Sequence, residues 1–370
     1  MLHFYGRRIM AVKYKLLAET LKEMVADNIE KGITKLPTEQ ALCHRFGVSR
    51  QTIRQALSLL EEENLIVRRQ GSGSFLTGLS GRADQNIIHI LATSDNRYLY
   101  PALLDDIQKT LSLHGFSAKI HVTGGRFDLE RQLLLEFLKR PPRGIIAEPC
   151  KSSLPNPNAS LWRRLEAAGT NLLCLFSSYD FLRDPFYLKE DNLLGSSLLV
   201  QHLAEQGHTA VGGIFCCDSS QGLERFQGFM EACDAYQFLV RDQQVSWFHT
   251  SDIQSIAKDP DRAFLRHIID NSLTGCTAVV CQNDEIAYLL SDTLRHLGYT
   301  LPGDMAVVSF DNSYLSNSGP LSITSLAHEP GGIGGRAAQM MADRLKGLPV
   351  KSQEVPWKLM VKESSRQRIR

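Results

Sequence analysis

The first eighty residues carry apolar side chains at the three- and four-residue spacing of helices. This spacing predicts one amphipathic helix over 12–31. Two shorter helices follow, for which Thr38 and Ser49 are the candidate N-caps, and Gly47 lies in the turn between them. Two strand-like runs, LIVRR and GSFLT, flank a glycine-containing tip and predict a small β-hairpin. The predicted order is helix, helix, turn, helix and hairpin.

From residue 87 onward, near-continuous apolar runs of strand length alternate with segments long enough for crossover helices. This alternation predicts an α/β fold with parallel strands covered on both faces. The region is long for one sheet of ordinary size, so we expect two lobes. The polar, glycine-containing stretch 79–86 is the predicted linker. The predicted domains are therefore a small helix-and-hairpin domain over 10–78 and a two-lobed domain over 87–370.

Composition and the lengths of the apolar runs indicate a globular protein rather than a membrane protein. Hydrophobic residues make up 43% and charged residues 22% of the chain, an ordinary globular balance. The sequence has no apolar run near the ~18 residues that a membrane-spanning helix needs. The opening MLHFYGRRIM carries no apolar segment of a secretory signal, so we expect a cytoplasmic protein without membrane contacts. We also expect residues 1–9 to be an extension, or a misplaced start, ahead of Met10.

Cysteine and histidine spacing argues against metal and redox chemistry. The eight cysteines form no C-x-x-C pair, and several lie inside apolar runs, so we expect reduced, buried thiols. The sequence also has no H-E-x-x-H or G-x-S-x-G motif, and EPGGIGGRAAQ lacks the lysine of a phosphate-binding loop. We therefore expect no metal, no cofactor and no catalytic residue. A sugar-active enzyme or a sugar-binding carrier on the same α/β core is the alternative.

The segment FGVSRQTIRQALSLLEEENLI carries the strongest chemical signal. On the helix that begins near Ser49, apolar residues form one stripe, and Arg50, Gln51 and Arg54 lie on the opposite face. Arginine and glutamine on a short helix can hydrogen bond with base edges in the major groove. Residues 1–80 also carry a net charge of +4, which suits nucleic-acid contact. The alternative is a solvated surface helix, which the turn and the following hairpin make less favoured.

The segment LPTEQALCHRFGVSRQTIRQALSLLEEENLIVRRQGSGSFLTG resembles the winged helix-turn-helix domain of the GntR family of regulators. The resemblance covers nearly all of 12–78. It implies binding to double-stranded operator DNA, usually as a homodimer on an imperfect palindrome. The DNA contacts that the resemblance implies are Lys13, Arg50, Gln51, Thr52, Arg54, Gln70 and Gly71.

Polar residues end several predicted strands of the larger domain. Glu148, Asn283 and Asp311 each follow an apolar run. In open parallel sheets, ligands bind outside the carboxyl ends of the strands. Two lobes that face each other across such ends would form a cleft with these side chains inside it.

The larger domain resembles the LacI/GalR regulators, whose effector domains are similar to periplasmic sugar-binding proteins. The resemblance rests on EDNLLGSSLLVQHLAEQGHTAVGGIF, ERFQGFMEA, TAVVCQNDEIAYLLSDTLRHLGYTLPGDMAVVSFDNS and VPWKLMVKESS. A GntR-type domain joined to this core, together with IIAEPCKSSLPNPN and GIFCCDSSQGLERFQGF, is similar to the arabinose repressors. The resemblance implies a repressor controlled by a small sugar, L-arabinose or a related pentose.

By this resemblance, Arg225, Asn283 and Asp311 bind the sugar. Arginine and carboxylate groups hold vicinal hydroxyls strongly, and an asparagine amide both donates and accepts. The further candidates are an aromatic ring from the loop after the first strand and an acid from the first lobe, namely Tyr98, Tyr100 and Glu148.

Each assignment has a structural alternative. Arg225 and Asp311 could form an ion pair with each other, and Tyr100, which precedes Pro101, could simply pack. Asp284 is expected to be a helix N-cap rather than a ligand.

Overall fold

The computed structural model describes residues 14, 16–25, 27–28, 33, 35–62, 65–69, 73–76, 86–238, 240–328 and 332–366. The chain forms two compact units, Met1–Asn86 and Ile87–Arg370, which we call the head and the body. Apart from Asn86, the predicted linker 79–86 lies outside the described residues.

The head contains the predicted helices and hairpin. Its elements are α1 (16–25), α2 (Glu39–Phe46), α3 (Arg50–Glu62), β1 (Ile66–Arg69) and β2 (Gly73–Leu76). The two strands pair antiparallel, in the register that places Ile66 opposite Leu76. The helix-turn-helix and hairpin that the sequence predicts are therefore confirmed.

Local chemistry fixes the turn between α2 and α3. The Thr38 hydroxyl accepts a hydrogen bond from the Ala41 amide at 3.2 Å, and the Ser49 hydroxyl accepts one from the Thr52 amide at 3.3 Å. These are the N-cap bonds that satisfy the first amides of a helix. Gly47 adopts a left-handed φ of 63° at the end of α2, which glycine tolerates without steric cost. Both predicted N-caps are confirmed.

A small apolar core holds the three head helices together. Leu21, Leu42 and Ile53 are fully buried there, beside Leu57 and Leu60. Burying each such side chain contributes about 1.5–3 kcal/mol. Because this core uses the inner stripe of α3, the polar face of α3 is left for solvent or a ligand.

Among the described residues, the body contains two six-stranded sheets, which define an N-lobe and a C-lobe. The N-lobe strands are β3 (Ile87–Ala92), β4 (Ser117–Val122), β5 (Gly144–Ala147), β6 (Asn171–Leu175), β7 (Tyr187–Glu190) and β13 (Gln353–Val355). The C-lobe strands are β8 (Val211–Cys216), β9 (Val245–Phe248), β10 (Ala278–Cys281), β11 (Ala306–Phe310), β12 (Thr324–Ala327) and β14 (Lys358–Met360).

Both sheets are almost wholly parallel. The N-lobe order is β13-β7-β6-β5-β3-β4, and every neighbouring pair is parallel. The C-lobe order is β14-β12-β11-β10-β8-β9, in which only the β12–β14 pair is antiparallel among the described strands. The predicted two-lobed α/β fold with parallel sheets is confirmed.

Helices cover both faces of each sheet. They are α4 (Tyr100–Leu113), α5 (Phe127–Phe137), α6 (Ala159–Ala167), α7 (Asn192–Glu205), α8 (Ser220–Ala235), α9 (Ile253–Lys258), α10 (Ala263–Asn271), α11 (Asp284–His296), α12 (Leu315–Ser318) and α13 (Gly332–Leu345). Short 3-10 turns lie at Asp242–Gln244, Thr250–Asp252 and Glu363–Ser365. In the part of the chain that the structure describes, no helix is both long and apolar enough to span a bilayer.

The chain passes between the lobes three times. It leaves the N-lobe after β7, returns after β12 through α13, and crosses again between β13 and β14. Helix α13 packs on the N-lobe core through its buried face, and the helix begins at Gly332. The short strands β7 and β13 were not predicted, because YLKE and QEV are too short and too polar for a strand pattern.

Candidate functional site

The polar face of α3 carries two arginines held by one carboxylate. Glu39 of α2 accepts hydrogen bonds from Arg50 Nε at 3.0 Å and from Arg54 Nε at 3.0 Å. The arginine side chains are 70% and 58% exposed, whereas that of Glu39 is 25% exposed. Burial alone would raise the pKa of Glu39, but the bonds from the two arginines hold it below its ordinary value. Glu39 therefore stays ionised and orients both cations.

The remaining predicted DNA contacts differ in their setting. Gln51 is exposed beside Arg50, whereas the Thr52 hydroxyl is within 2.8 Å of the Ser49 hydroxyl at the helix start. Lys13, Gln70 and Gly71 lie outside the described residues. Sequence analysis missed Glu39, whose signal is its position in the first turn of α2, opposite the start of α3.

The body contains a cavity of about 540 Å³ at the carboxyl ends of the strands of both lobes. The structure brings all six predicted effector residues to its wall: Tyr98, Tyr100, Glu148, Arg225, Asn283 and Asp311. The first three belong to the N-lobe and the last three to the C-lobe. A ligand in this cavity would therefore contact both lobes.

Arg225 is a buried arginine at the base of the cavity. Its Nε donates to Asn192 Oδ1 at 3.0 Å, Nη1 donates to the Gln282 carbonyl, and Nη2 lies 3.5 Å from Asp311 Oδ1. Its guanidinium also lies 4.1 Å from the centre of the Phe310 ring. Three of the five guanidinium N–H groups are thus engaged, and two are left for a ligand. The ion pair considered in the sequence analysis forms, and both of its partners line the cavity.

Tyr98 joins the two lobes through its hydroxyl. It donates to Asp311 Oδ2 at 2.6 Å and accepts from the Asp284 amide at 3.2 Å. Burial, and next the charge of Asp311, raise the pKa of Tyr98 well above its ordinary value, so the phenol stays protonated as a donor. The sequence suggested an aromatic face for the sugar, and the structure adds a hydrogen-bonding role for this ring.

Tyr100 and Glu148 form a second pair inside the N-lobe. The Tyr100 hydroxyl donates to Glu148 at 2.9 Å, and the Thr93 amide donates to Glu148 Oε2 at 2.7 Å. Burial raises the pKa of Glu148 despite these bonds. Both side chains line the cavity, so Tyr100 does more than pack.

At the start of α11, Asn283 takes the capping role that was expected of Asp284. The helix N-cap is Asn283, whose Oδ1 accepts from the Ile286 amide at 3.1 Å, so the prediction that Asp284 is the cap was wrong. Capping uses the Asn283 oxygen and leaves its NH₂ group for the cavity. Asp284 lies one residue later, fully buried, where it accepts from the hydroxyls of Ser309, Ser313 and Ser325. Both residue types cap helices well, so the pattern alone could not choose between neighbours.

Several cavity residues have strained backbones. Tyr98, Phe176 and Asp311 have φ values of 54°, 69° and 91°, which side chains other than glycine rarely adopt. Each of the three lines the cavity. Such strain is concentrated at ligand sites, where the surrounding structure holds it in place.

Sequence analysis missed other cavity residues. Glu190 ends β7 and is buried, with its pKa raised by burial, although the ring of His328 lies 3.8 Å away. Phe176 follows β6 and adds an aromatic wall. A rule that takes every residue after a parallel strand would have found Phe176, whereas Glu190 depended on recognising the short strand β7.

Other contacts hold the two lobes together around the cavity. Arg97 of the N-lobe forms an ion pair with Glu285 of α11 at 2.6 Å, and both line the cavity. The hydroxyl of Ser152 in the N-lobe also lies 2.9 Å from that of Ser220 at the start of α8 in the C-lobe. The lobes therefore already touch at more than one place.

Comparison with known proteins identifies the class. Residues 13–76 match the bacterial regulatory proteins of the gntR family, and residues 200–365 match a periplasmic binding protein-like domain. Together with the helix-turn-helix head and the two-lobed body, these matches identify the chain as a transcription regulator that joins a gntR-family DNA-binding domain to a periplasmic-binding-protein-like domain.

The chain is similar over most of its length to arabinose metabolism transcriptional repressors. It is 29% identical over 338 residues to that of Halalkalibacterium halodurans, covering 90% of this chain and 89% of the relative. It is 29% identical over 336 residues to that of Geobacillus stearothermophilus, covering 90% and 91%. These relatives are regulators rather than enzymes, as the sequence analysis expects of this chain.

Solved structures share the fold. A complex of the transcriptional regulator CelR with cellobiose has a TM-score of 0.65 at 21% identity, covering 89% of this chain and all of that one. A periplasmic binding protein/LacI transcriptional regulator from Alkaliphilus metalliredigens QYMF, complexed with D-xylulofuranose, has a TM-score of 0.63 at 15% identity, covering 76% and 100%. At these identities the likeness concerns the fold alone.

Proposed function

We propose that the chain is a cytoplasmic, homodimeric repressor whose affinity for operator DNA is lowered by a small sugar bound between the lobes of the body. L-arabinose or a related pentose is the first candidate effector. The relatives named as arabinose metabolism repressors support this choice. The observation that carries the proposal is the cavity, where side chains from both lobes present donors and acceptors to one ligand.

The head supports binding to a DNA duplex. Arg50 and Arg54 are exposed on a short helix, and both form ion pairs with Glu39. Such a helix fits the major groove, where arginine donates to guanine and glutamine pairs with adenine. Lys13, Gln70 and Gly71 stay candidate contacts on the strength of the resemblance.

The chemistry of the cavity supports a polyhydroxylated ligand. Two N–H groups of Arg225 and the amide of Asn283 donate, and the carboxylates of Glu148 and Asp311 accept. Tyr98 and Phe176 offer ring faces to the C–H side of a sugar. This mixture of paired polar groups and aromatic rings suits a sugar better than an apolar ligand.

Ligand binding would reach the DNA through closure of the lobes. A ligand shifts this equilibrium only by its different affinity for the two closure states. Tyr98 and Asp311 join the lobes and also face the cavity, so a sugar that hydrogen bonds with either changes the balance. In a dimer, that change would alter the spacing of the two heads on the operator.

Gel-shift titration of the full chain on fragments of its own genome tests the proposal. We expect one or more fragments to bind with a specific preference, and a sugar from a pentose and hexose panel to weaken that binding. The same sugar should stabilise the protein, by about 2.7 kcal/mol at a hundred times its dissociation constant. Sedimentation measures the dimer directly.

Matched variants separate the two halves of the proposal. Asp311→Asn should abolish the response to sugar and keep DNA binding, whereas Arg54→Ala should weaken DNA binding and keep the sugar-induced stabilisation. DNA affinity that no sugar alters would contradict the effector role, and no preference for any fragment would contradict the regulator role.

A further inference from the structure

The cavity has two parts that differ in the strands that supply them. The inner part contains the six predicted effector residues described above. Each of them lies just after a strand or on the helix that follows it. The outer part lies beyond the edge strands β4 and β9, one from each lobe. Its walls include Arg126 and Leu129 after β4, and Thr250, Ile253 and Gln254 after β9.

The volume of the cavity exceeds the needs of one sugar ring. At the ~30 Å³ that a water molecule takes in the liquid, 540 Å³ corresponds to about eighteen waters, which is more than one sugar ring displaces. A ring held by Arg225, Asn283 and Asp311 would therefore leave the outer part of the cavity filled with solvent.

Further closure of the lobes would not readily remove this excess volume. The lobes already meet through Arg97 and Glu285 at 2.6 Å and through Tyr98 and Asp311 at 2.6 Å. Tightening around one ring would compress these two contacts, which are already at hydrogen-bonding distance.

The outer part has the side chains that a second sugar ring needs. Leu129 from the N-lobe and Ile253 from the C-lobe supply partly buried apolar surface for the C–H faces of a ring. Arg126, Thr250 and Gln254 line the same part. Arg126 Nε and Nη2 donate to Asp128, and the Thr250 hydroxyl donates to Asp218, so the polar groups offered to a sugar are the Gln254 amide and the remaining Arg126 N–H groups. The outer part is also continuous with the inner part, because the residues of both line one cavity.

We propose that the outer part is a second sugar subsite, so that a disaccharide or longer glycoside, with one ring in the inner part and the next ring between Leu129 and Ile253, binds more tightly than a single pentose ring does. The proposal rests on the proposed sugar-sensing function and specifies the size of its ligand. A pentose then occupies the inner part alone and binds more weakly than its linked dimer.

Calorimetric titration of the full chain with matched sugar pairs tests the proposal. The probes are L-arabinose and arabinobiose, D-xylose and xylobiose, and D-glucose and cellobiose. In at least one pair we expect the disaccharide to bind about tenfold or more tightly than its monosaccharide, a difference of about 1.4 kcal/mol. Disaccharides that bind no better than their monosaccharides in every pair would overturn the subsite.

Filling the outer part distinguishes it from the inner one. Leu129→Trp should lower affinity for the disaccharide about tenfold and leave the monosaccharide within about twofold, because the indole takes the space of the second ring. Leu135→Trp is the matched control, since Leu135 lies on the same helix, is 42% exposed and does not line the cavity. Ile253→Ala offers a second variant, which removes surface rather than adding bulk.

The outcomes separate the subsite from the sugar-sensing function itself. Equal losses for both sugars in Leu129→Trp, with Leu135→Trp unchanged, would overturn the second subsite while sugar sensing stands. Absence of binding by all six sugars to the wild-type protein would overturn both proposals.

Discussion

The head and the body both pair arginine with a carboxylate, but in opposite surroundings. In the head, Arg50 and Arg54 are more than half exposed and share Glu39. In the body, the Arg225 side chain is 3% exposed and lies between Asp311, Asn192 and the Gln282 carbonyl. The same two chemical groups, a guanidinium and a carboxylate, therefore stand in different environments in the two units.

Exposure to solvent decides how easily each ion pair can be replaced by other partners. An exposed pair contributes only about 0.2–1 kcal/mol, so water, a phosphate or a base can replace Glu39 as the partner at little cost. A buried arginine has lost its hydration and depends on every partner that it keeps. In the proposed function, the head arginines therefore exchange partners on DNA, whereas Arg225 stays in place and offers its two remaining N–H groups to a ligand.

The largest expected effect comes from breaking the buried pair. Arg225→Ala leaves Asp311 buried without its cation, which should lower the free energy of unfolding by about 3–5 kcal/mol. For a body of this size the melting temperature should fall by roughly 6–20 °C. Thermal unfolding followed by circular dichroism measures the loss. Arg295→Ala, at an exposed site of α11, is the control, and equal melting temperatures in the two variants would contradict the pairing role.

The next effect depends on pH and concerns Asp284. Burial, and next the charge of Asp311, raise the pKa of Asp284 to about 6, although hydrogen bonds from Ser309 and Ser325 oppose the shift. The unfolded value is about 3.9. The folded protein therefore holds a proton that the unfolded chain releases, so this stability is full below about pH 4 and is lost as the pH rises through 6.

Asp284→Asn removes this titration and keeps the shape of the side chain. Relative to the variant, the wild-type protein should lose up to about 3 kcal/mol of unfolding free energy between pH 4 and 7. Urea unfolding at several pH values measures the difference. Asp270→Asn, at an exposed position, should run parallel to the wild type, and a parallel curve for Asp284→Asn as well would show that the buried carboxyl does not titrate in this range.

The contrast between the two units explains what the sequence could predict. The proposed DNA-binding face is contiguous, since Arg50 to Arg54 lie on one helix whose apolar stripe and N-cap are local in the sequence. The alternation of strands and helices likewise predicted both lobes, because each buried parallel strand is an apolar run that its own segment of sequence shows. Local patterns therefore specified the elements and one functional face.

The cavity was only partly predictable, because its pairs join distant parts of the chain. Tyr98 and Asp311 are 213 residues apart, and Arg97 and Glu285 are 188 apart. The rule that ligands lie at strand ends, together with the resemblance, selected residues that do share a cavity. Neither could give the interlobe bonds, nor the one-residue shift that makes Asn283 the cap and buries Asp284.

Breaking the exposed ion pair in the head should have a smaller effect. It should change the affinity for DNA rather than the stability of the protein. Arg54→Ala should weaken operator binding by about 1–3 kcal/mol if the side chain reads a base. The melting temperature should stay close to that of the wild type, because the Arg54 side chain is 58% exposed. Gel shifts at fixed salt measure the affinity. Wild-type affinity in this variant would exclude Arg54 from recognition.

The smallest effect should come from Glu39, which touches no base in our proposal but orients the two arginines that do. Glu39→Gln keeps the side-chain shape and removes the charge, so Arg50 and Arg54 lose their fixed positions and pair more readily with any phosphate. Ordering a freed arginine again costs ~0.5–1.5 kcal/mol, so discrimination between operator and random DNA should fall about twofold to tenfold while total affinity changes little.

Competition gel shifts give that ratio directly. Glu61→Gln is the matched control, because Glu61 pairs with Arg68 at 2.7 Å on the same head, away from Arg50 and Arg54. If Glu39→Gln weakened binding to operator and to random DNA in parallel, Glu39 would contribute to the overall electrostatic potential of the head and not to the orientation of its arginines. A loss confined to the operator would show that even a weak, exposed pair sets specificity when it fixes the side chains that read the bases.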